Sequence, residues 1–311
     1  MSTEEGAYQA PEQMIIPNVW LNGTADEAAQ FYTEALPYTE VTGKVRYPEE
    51  GLPEFQRQFA GTTMTVDLSV DDCALMLING DNSLSLTPAI SFMLNFDVLE
   101  WGTPERVEQE IRKSWAKLTE GGTVRMELGS YPFARLYGWV EDRFGVNWQL
   151  NFLDPDGEAR PFLVPQLMFT GAQPRADKAV KYYIKVFKKA LAHRLATYRG
   201  VVQKNPGVKG ALAYTDFVLG SQWLAALDGG DAHDFGFSGG VSLLVQAHGQ
   251  EEIDALWDGL SAVPEAEQCG WCQDKYGLTW QIVPDNMGEL MARPGAYEHM
   301  MQMKKLVIAD F

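Results

Sequence analysis

Two hydrophobic periods alternate along this chain, and their order recurs four times. Met14 to Leu21 is a continuous apolar run of strand character. Thr24-Ala-Asp-Glu27 follows as a capping box, and Ala28, Phe31, Tyr32, Ala35 and Leu36 recur at helical spacing until Pro37 stops the helix. Strand patterns come next at Thr39–Tyr47, Thr62–Val70 and Cys73–Ile78. A second set opens with the strand Ala89–Phe96. Its helix starts at Thr103-Pro104, buries Val107, Ile111, Trp115 and Leu118, and ends at Gly121-Gly122. Strands follow at Thr123–Leu128, Ala134–Glu141 and Val146–Phe152. The third set has a strand at Val164–Phe169, a helix from Pro174 burying Val180, Tyr183, Ile184, Phe187 and Leu191, and strands at His193–Tyr198, Gly210–Leu219 and Gln222–Leu227. The fourth has a strand at Val241–Gln246, a helix at Glu251–Leu260, and a strand pair near 267–273 and 278–283. The pattern predicts an α+β fold of four βαβββ units. Turn-rich Asp154-Pro155-Asp156-Gly157 divides them two and two, which predicts domains over 14–156 and 160–311. Residues 1–13 read as a disordered acidic tail, and a methionine-rich helical tail follows Asp285.

The chain writes one passage twice. Tyr137–Asn151 reads YGWVEDRFGVNWQLN and Cys269–Val283 reads CGWCQDKYGLTWQIV. Without a gap, Gly138, Trp139, Asp142, Gly145, Trp148 and Gln149 match Gly270, Trp271, Asp274, Gly277, Trp280 and Gln281. A match this dense marks an internal duplication. Asp142-Arg-Phe-Gly145 and Asp274-Lys-Tyr-Gly277 are predicted hairpin turns. The glycine takes positive φ and the aspartate accepts from nearby backbone amides.

Side chains alternate across a strand, so each opening or closing strand shows a second face. Asn147, Gln149 and Asn151 share one face, opposite Val146, Trp148 and Leu150. Asn18, Trp20 and Asn22 share another, as do Ser91, Met93 and Asn95. In the second half Gln166 pairs with Met168, and Ser242 with Gln246. One face of each sheet is thus apolar and suited to helices. The other carries a few placed amides, the make-up of a small-molecule site or of a solvated sheet face. The candidate ligand-binding residues are Asn18, Trp20, Ser91, Asn95 and Gln149 in the first half, with Gln166, Ser242, Gln246 and Gln281 as their counterparts. Amides do not titrate, so their expected role is hydrogen bonding, not acid–base chemistry.

The run Cys269-Gly-Trp…Asp274-Lys-Tyr-Gly-Leu-Thr-Trp-Gln-Ile-Val-Pro284 resembles the PhnB-like, demethylubiquinone methyltransferase-like family of the vicinal oxygen chelate (glyoxalase/bleomycin resistance/dioxygenase) superfamily. Pro17-Asn-Val-Trp-Leu-Asn-Gly23…Ala28-Ala-Gln-Phe-Tyr32 and Met303-Lys-Lys-Leu resemble it too. The resemblance covers nearly the whole chain, in two copies. It implies paired βαβββ units curling into half-open barrel sheets around a pocket, two glyoxalase-like domains here, and a dimer for which the tandem halves substitute an intramolecular pseudo-dimer. The superfamily's metal enzymes use a His near each first strand and a Glu on the last. Carried over, those positions fall near Pro17, Ser91 and Gln149, and near Pro165, Ser242 and Gln281. Proline has no ligand atom, and neutral amides and hydroxyls hold divalent metals poorly. The expectation is therefore metal-independent binding of a small organic molecule, with no metal and no cofactor. A metal-dependent glyoxalase or dioxygenase and a non-catalytic scaffold with a degenerate second domain are the competing readings. The methyltransferase label gains nothing from these residues, because no glycine-rich strand-to-helix loop with an acidic ribose partner is present.

Composition and charge narrow the partners. The 311 residues carry a net charge of −17, and residues 1–158 hold 26 acidic against 10 basic side chains. Lys178 to Lys209 holds nine basic residues and no acidic one, but Lys178, Lys181, Lys185 and Lys188 fall on one helix face and read as solvated. The acidic field of the whole repels polyanions, so nucleic acid is not an expected partner. No apolar run is long enough for a membrane helix and the N-terminus lacks signal-peptide features, which predicts a cytoplasmic protein. Cys269-Gly-Trp-Cys272 has redox spacing but lies on a predicted strand, which puts its Cα atoms about 10 Å apart, too far for a disulfide. Asp231-Ala-His233-Asp234 reads as a solvated turn.

Overall fold

The computed structural model describes residues 13–153, 160–191 and 194–311. The tail before Gln13, the Asp154–Gly157 junction and His193 lie outside the described residues. The first unit comprises β1 (Ile15–Leu21), α1 (Ala25–Ala35), β2 (Thr39–Arg46), β3 (Thr63–Val70) and β4 (Cys73–Asn79). The second comprises β5 (Ile90–Asp97), a short α2 (Val98–Trp101), α3 (Pro104–Leu118), β6 (Thr123–Tyr131), β7 (Ala134–Glu141) and β8 (Asn147–Leu153). The third comprises β9 (Leu163–Thr170), α4 (Ala176–Ala190), β10 (Ala196–Lys204), β11 (Leu212–Leu219) and β12 (Gln222–Gly230). The fourth comprises β13 (Val241–Ala247), α5 (Gly249–Leu260), β14 (Trp271–Gln273) and β15 (Thr279–Pro284), and α6 (Met287–Met291) and α7 (Ala296–Gln302) follow it.

The fourth unit has two strands after its helix, the pair its residues predict, and so falls one strand short of the βαβββ order. A 3-10 turn at Pro264–Ala266 occupies the gap, with Ala262 before it donating its amide to the Gln273 carbonyl and Gln268 after it bridging Trp271. A proline there has no N–H to give a ladder.

Sheet pairing crosses the sequence. A seven-stranded sheet runs β14-β15-β13-β1-β4-β3-β2, and an eight-stranded sheet runs β10-β11-β12-β9-β5-β8-β7-β6. The first, here the terminal sheet, joins units one and four. The second, the central sheet, joins units two and three. Each has an antiparallel seam at its centre, β1 on β13 and β5 on β9, flanked by parallel pairs. Among the described residues neither sheet closes into a barrel, and both stay open as expected.

One continuous core lies on the helix side of both sheets. Its largest wholly buried side chains include Trp148, Trp280, Tyr32, Tyr183 and Phe92. The caps explain why the helices start where they do. Thr103 caps α3 through its hydroxyl, which accepts from the Arg106 amide. Thr24 makes no such bond. Asn79, at the end of β4, accepts from the Ala25 amide instead, so the expected capping box is replaced by a cap from another strand. Asp228 on β12 does the same for α4, accepting from the Arg175 and Ala176 amides.

The duplicated turns form as predicted, with Gly145 at φ +88° and Gly277 at φ +92°. Their aspartates do more than cap the turn. Asp142 Oδ1 accepts from the Phe144 and Val146 amides at 2.8 and 3.0 Å, while Oδ2 accepts from Trp148 Nε1 and the Tyr32 hydroxyl, both at 2.8 Å. Asp274 accepts from the Tyr276 and Leu278 amides and from Trp280 Nε1 at 2.9 Å. Tyr183 stands in Tyr32's place and interacts with Asp274, but its buried hydroxyl falls outside good hydrogen-bond geometry. Burial pushes both carboxyls up, and the surrounding donors oppose that rise. The repeated Asp and Trp are therefore a structural clamp between turn and strand.

Candidate functional site

The side of each sheet away from the helices carries all nine candidate residues. The structure sorts them by sheet and not by sequence half. Asn18, Trp20, Ser242, Gln246 and Gln281 lie on the terminal sheet. Ser91, Asn95, Gln149 and Gln166 lie on the central one. Two cross-strand pairs at the seams join the halves: Asn18 faces Ser242, and Ser91 faces Gln166.

The two faces then differ. On the central sheet the polar groups are occupied by each other. Gln149 Nε2 donates to Ser91 Oγ at 2.8 Å, and its Oε1 accepts from the Tyr137 hydroxyl at 2.7 Å. Asn95 donates to the Pro161 carbonyl and accepts, at 3.4 Å, from Asn151. Asp216, wholly buried on β11, is held by Arg160 at 2.7 and 3.0 Å and by the Tyr214 hydroxyl at 2.6 Å. Tyr137, Trp139 and Met168 pack together with Leu227 and Phe235 over the rest. Met93, Val164 and Ala225 pack with Tyr214 and Trp223. This face is filled by its own side chains.

The terminal sheet keeps the equivalent Gln–Ser bond, with Gln281 Nε2 donating to Ser242 Oγ at 2.8 Å. Cys269 replaces Tyr137 at the aligned position, so no phenol reaches Gln281 from there. Trp20 is pinned by its Nε1, which donates to the Asp81 carbonyl at 2.8 Å. Its indole lies on Gly80, where a Cβ would come within 1.8 Å of the ring. Trp271 meets Trp20 edge-on at 6.0 Å. The register puts Ser242 and Thr279 beneath the line between the two indoles.

Beside this aromatic pair most polar side chains are buried and the apolar ones are partly exposed. Ile16, Ala74, Met76 and Ile78 are partly exposed apolar floor. Asn18, 1% exposed, donates its Nδ2 to Met76 Sδ at 3.4 Å, while its Oδ1 is buried with no partner. Asp67, across β4 from Asn18, also has a buried Oδ1 with no partner. Burial pushes the Asp67 carboxyl up. Buried polar atoms are nearly always paired, and two orphaned acceptors flanking Met76 mark this face as incomplete without a donor. Sequence reasoning missed Asp67. The available signal was a single charged residue on the Thr65-Asp67-Ser69 side of an otherwise uncharged strand.

Two surface grooves lie outside these faces. One of about 530 Å³ separates the end of α1 from α3, near Tyr38 and Lys113, and touches none of the candidate residues. Another of about 450 Å³ runs beside the end of β14, between Leu52, Pro53 and Phe55 and the Met301 side of α7. The Tyr297 hydroxyl ties α7 to that segment by donating to Gln56 Oε1 at 2.7 Å.

The superfamily's chelated metal does not fit these residues. At the register positions the terminal sheet offers Asn18, Met76, Ser242 and Gln281, and the central sheet Ser91, Gln149, Gln166 and Ala225. Amides, hydroxyls and a thioether are poor donors for a divalent ion. Among the described residues no three His, Cys, Asp or Glu side chains converge. Cys272 points into the core and Cys269 toward Met301, at 3.6 Å between sulfurs. Burial pushes their thiols up to about 12 and about 11, which keeps both protonated and unreactive near neutrality.

A family model described as 3-demethylubiquinone-9 3-methyltransferase matches residues 13–151 and again 161–283. The chain belongs to this family. It is a tandem copy of the PhnB-like, 3-demethylubiquinone-9 3-methyltransferase-like unit, within the vicinal oxygen chelate superfamily. Among solved structures, a putative 3-demethylubiquinone-9 3-methyltransferase, PhnB protein, from Bacillus cereus is 31% identical, spanning 45% of this chain and 100% of its own, with a TM-score of 0.38. Protein PA1353 from Pseudomonas aeruginosa is 26% identical over 45% of this chain and 98% of its own, with a TM-score of 0.37. A mutant of glyoxalase I from Zea mays covers 88% of this chain and 94% of its own at 14% identity and a TM-score of 0.50, a likeness of fold alone. No curated protein matches. In this tandem PhnB-like chain, no helix among the described residues is long and apolar enough to cross a membrane.

Proposed function

We propose that this chain binds a small organic molecule on the face of its terminal sheet away from the helices, through side-chain hydrogen bonds and aromatic contact and without a metal. The observation that carries this reading is the orphaned pair of acceptors, Asn18 Oδ1 and Asp67 Oδ1, beside a partly exposed apolar floor. A concave, mostly apolar surface with few placed polar groups is the usual make-up of such a site. The central sheet is then the structural partner, because its equivalent groups already satisfy one another. The donor set at the register positions supports the metal-independent reading. Methyl transfer, which the family's description names, is not part of it, since the chain has no glycine-rich strand-to-helix loop of the nucleotide-cofactor type.

A thermal-shift screen of a fragment library against the wild type, Asn18→Ala and Ser91→Ala tests this. A ligand at about 100 times its Kd stabilises by roughly 2.7 kcal/mol. Hits are expected to raise the wild-type Tm, to weaken about tenfold in Asn18→Ala, and to persist in Ser91→Ala. Hits that ignore Asn18 and vanish with Ser91 would move the site to the central sheet. Hits that appear only with added Mn²⁺, Ni²⁺, Fe²⁺ or Zn²⁺ would restore the metal-dependent reading.

A further inference from the structure

We infer that the terminal site takes an organic cation: a molecule with an apolar body and a protonated amine, for which Asp67 supplies the counter-charge and Asn18 a second acceptor. The inference rests on the terminal sheet being the ligand face.

What is missing at this face is donors. Asn18 gives one N–H of its amide to Met76, and the atom with no partner at all is its carbonyl oxygen. An ionised carboxylate is acceptor-only, so the orphaned Asp67 oxygen also asks for an N–H or O–H. The protein does not supply one with a charge. The positions sharing the face on β1, β3, β4 and β13 are Ile16, Asn18, Trp20, Thr65, Asp67, Ser69, Ala74, Met76, Ile78, Ser242, Leu244 and Gln246, and none is basic. On neighbouring β2, Lys44 pairs with Asp26, and Arg46 donates to the Gly61 carbonyl at 2.8 Å. The β2 residue opposite Asp67 is Gly43, where a Cβ would come within 2.7 Å of Oδ2. The glycine leaves the carboxylate its space and puts no donor beside it.

Charge and shape agree on the class. A half-buried carboxylate without a counter-ion favours a positive ligand over a neutral one, and the net charge of −17 draws cations toward the protein. The floor of Ile16, Ala74, Met76 and Ile78 favours an apolar body over a small hydrated ion. Asp67 and Asn18 stand on strands two spacings apart, about 10 Å between Cα positions, which a small aromatic amine spans.

The test uses the full chain labelled with ¹³C at methionine methyls, with the Met76 signal assigned by Met76→Leu. Benzylamine, benzyl alcohol and benzoate are titrated separately. Benzylamine is expected to move the Met76 methyl and to bind at least about tenfold more tightly than benzyl alcohol, with benzoate weakest. Asp67→Asn is expected to remove benzylamine's advantage over the alcohol. Equal binding of amine and alcohol at Met76 in the wild type, or a preference for benzoate, overturns the cation and leaves the pocket standing. No response of Met76 to any of the three overturns the pocket itself. The wild-type comparison decides the matter even where Asp67→Asn fails to fold.

Discussion

Asp142 and Asp274 are the same residue in two copies, and they differ by one bond. Asp142 holds four well-formed donors, one of them the Tyr32 hydroxyl, whereas Asp274 holds three, with the Tyr183 hydroxyl beside it in poorer geometry. Removing either carboxylate strands buried N–H groups, each worth about 1–3 kcal/mol when unsatisfied. Asp142→Ala is expected to cost roughly 4 kcal/mol, Asp274→Ala about 1 kcal/mol less, and Tyr32→Phe to erase most of that difference. Chemical denaturation of the three variants checks the order, and equal losses for the two aspartates would mean the Tyr32 bond contributes nothing. At this scale the sequence was informative about the turn and silent about the clamp. An Asp before a hairpin glycine signals a turn, but its bond to a tryptophan six residues on depends on both being buried together. The same limit hid Asp67. Alternation placed Asn18 and Gln281 on the face away from the helices, yet which polar atoms stay unpaired there is decided by contacts between strands far apart in sequence.

Helices and strands were the most legible level, because periodicity is a local property. The capping box at Thr24-Ala-Asp-Glu27 shows where locality ends. The residue pattern was present, but Asn79 occupies the amide the threonine was expected to serve. Asn79 also donates to the Thr63 carbonyl, so it holds α1, β3 and β4 at one point. Asn79→Ala is expected to cost about 1–2 kcal/mol, in the range of a lost N-cap, while Thr24→Ala stays within about 0.5 kcal/mol. Denaturant midpoints of the two variants distinguish the arrangements, and the reverse order would return the cap to Thr24. The missing strand in the fourth unit is a similar case. The βαβββ order of the other units implies it, but the residues after the helix show only a strand pair, with Pro264 in the gap.

At the scale of the whole molecule, the sequence showed four related units but not who pairs with whom. Related units present similar edges, so their patterns are compatible with several pairings, and the observed one joins first to fourth and second to third. Residues 14–156 alone would leave β1 without β13 and β5 without β9, one bare edge at the middle of each sheet. Fragments cut between residues 154 and 159 and co-expressed are therefore expected to copurify as a 1:1 complex, whereas each alone self-associates or precipitates. Size-exclusion chromatography with light scattering reads this, and two well-folded monomeric halves would contradict it.

The seam between Asn18 and Ser242 joins positions more than 220 residues apart. As the chain leaves the ribosome, units two and three find each other first, while β1 waits until the fourth unit has been made. The long loop this closes slows folding, since distant pairings are assembled last. The face carrying Asn18, Asp67 and Ser242 therefore comes into being only once synthesis has passed β13. A chain terminated before that point can build the central sheet but not the terminal one, so the Asn18–Ser242 face is absent from every product cut short of β13.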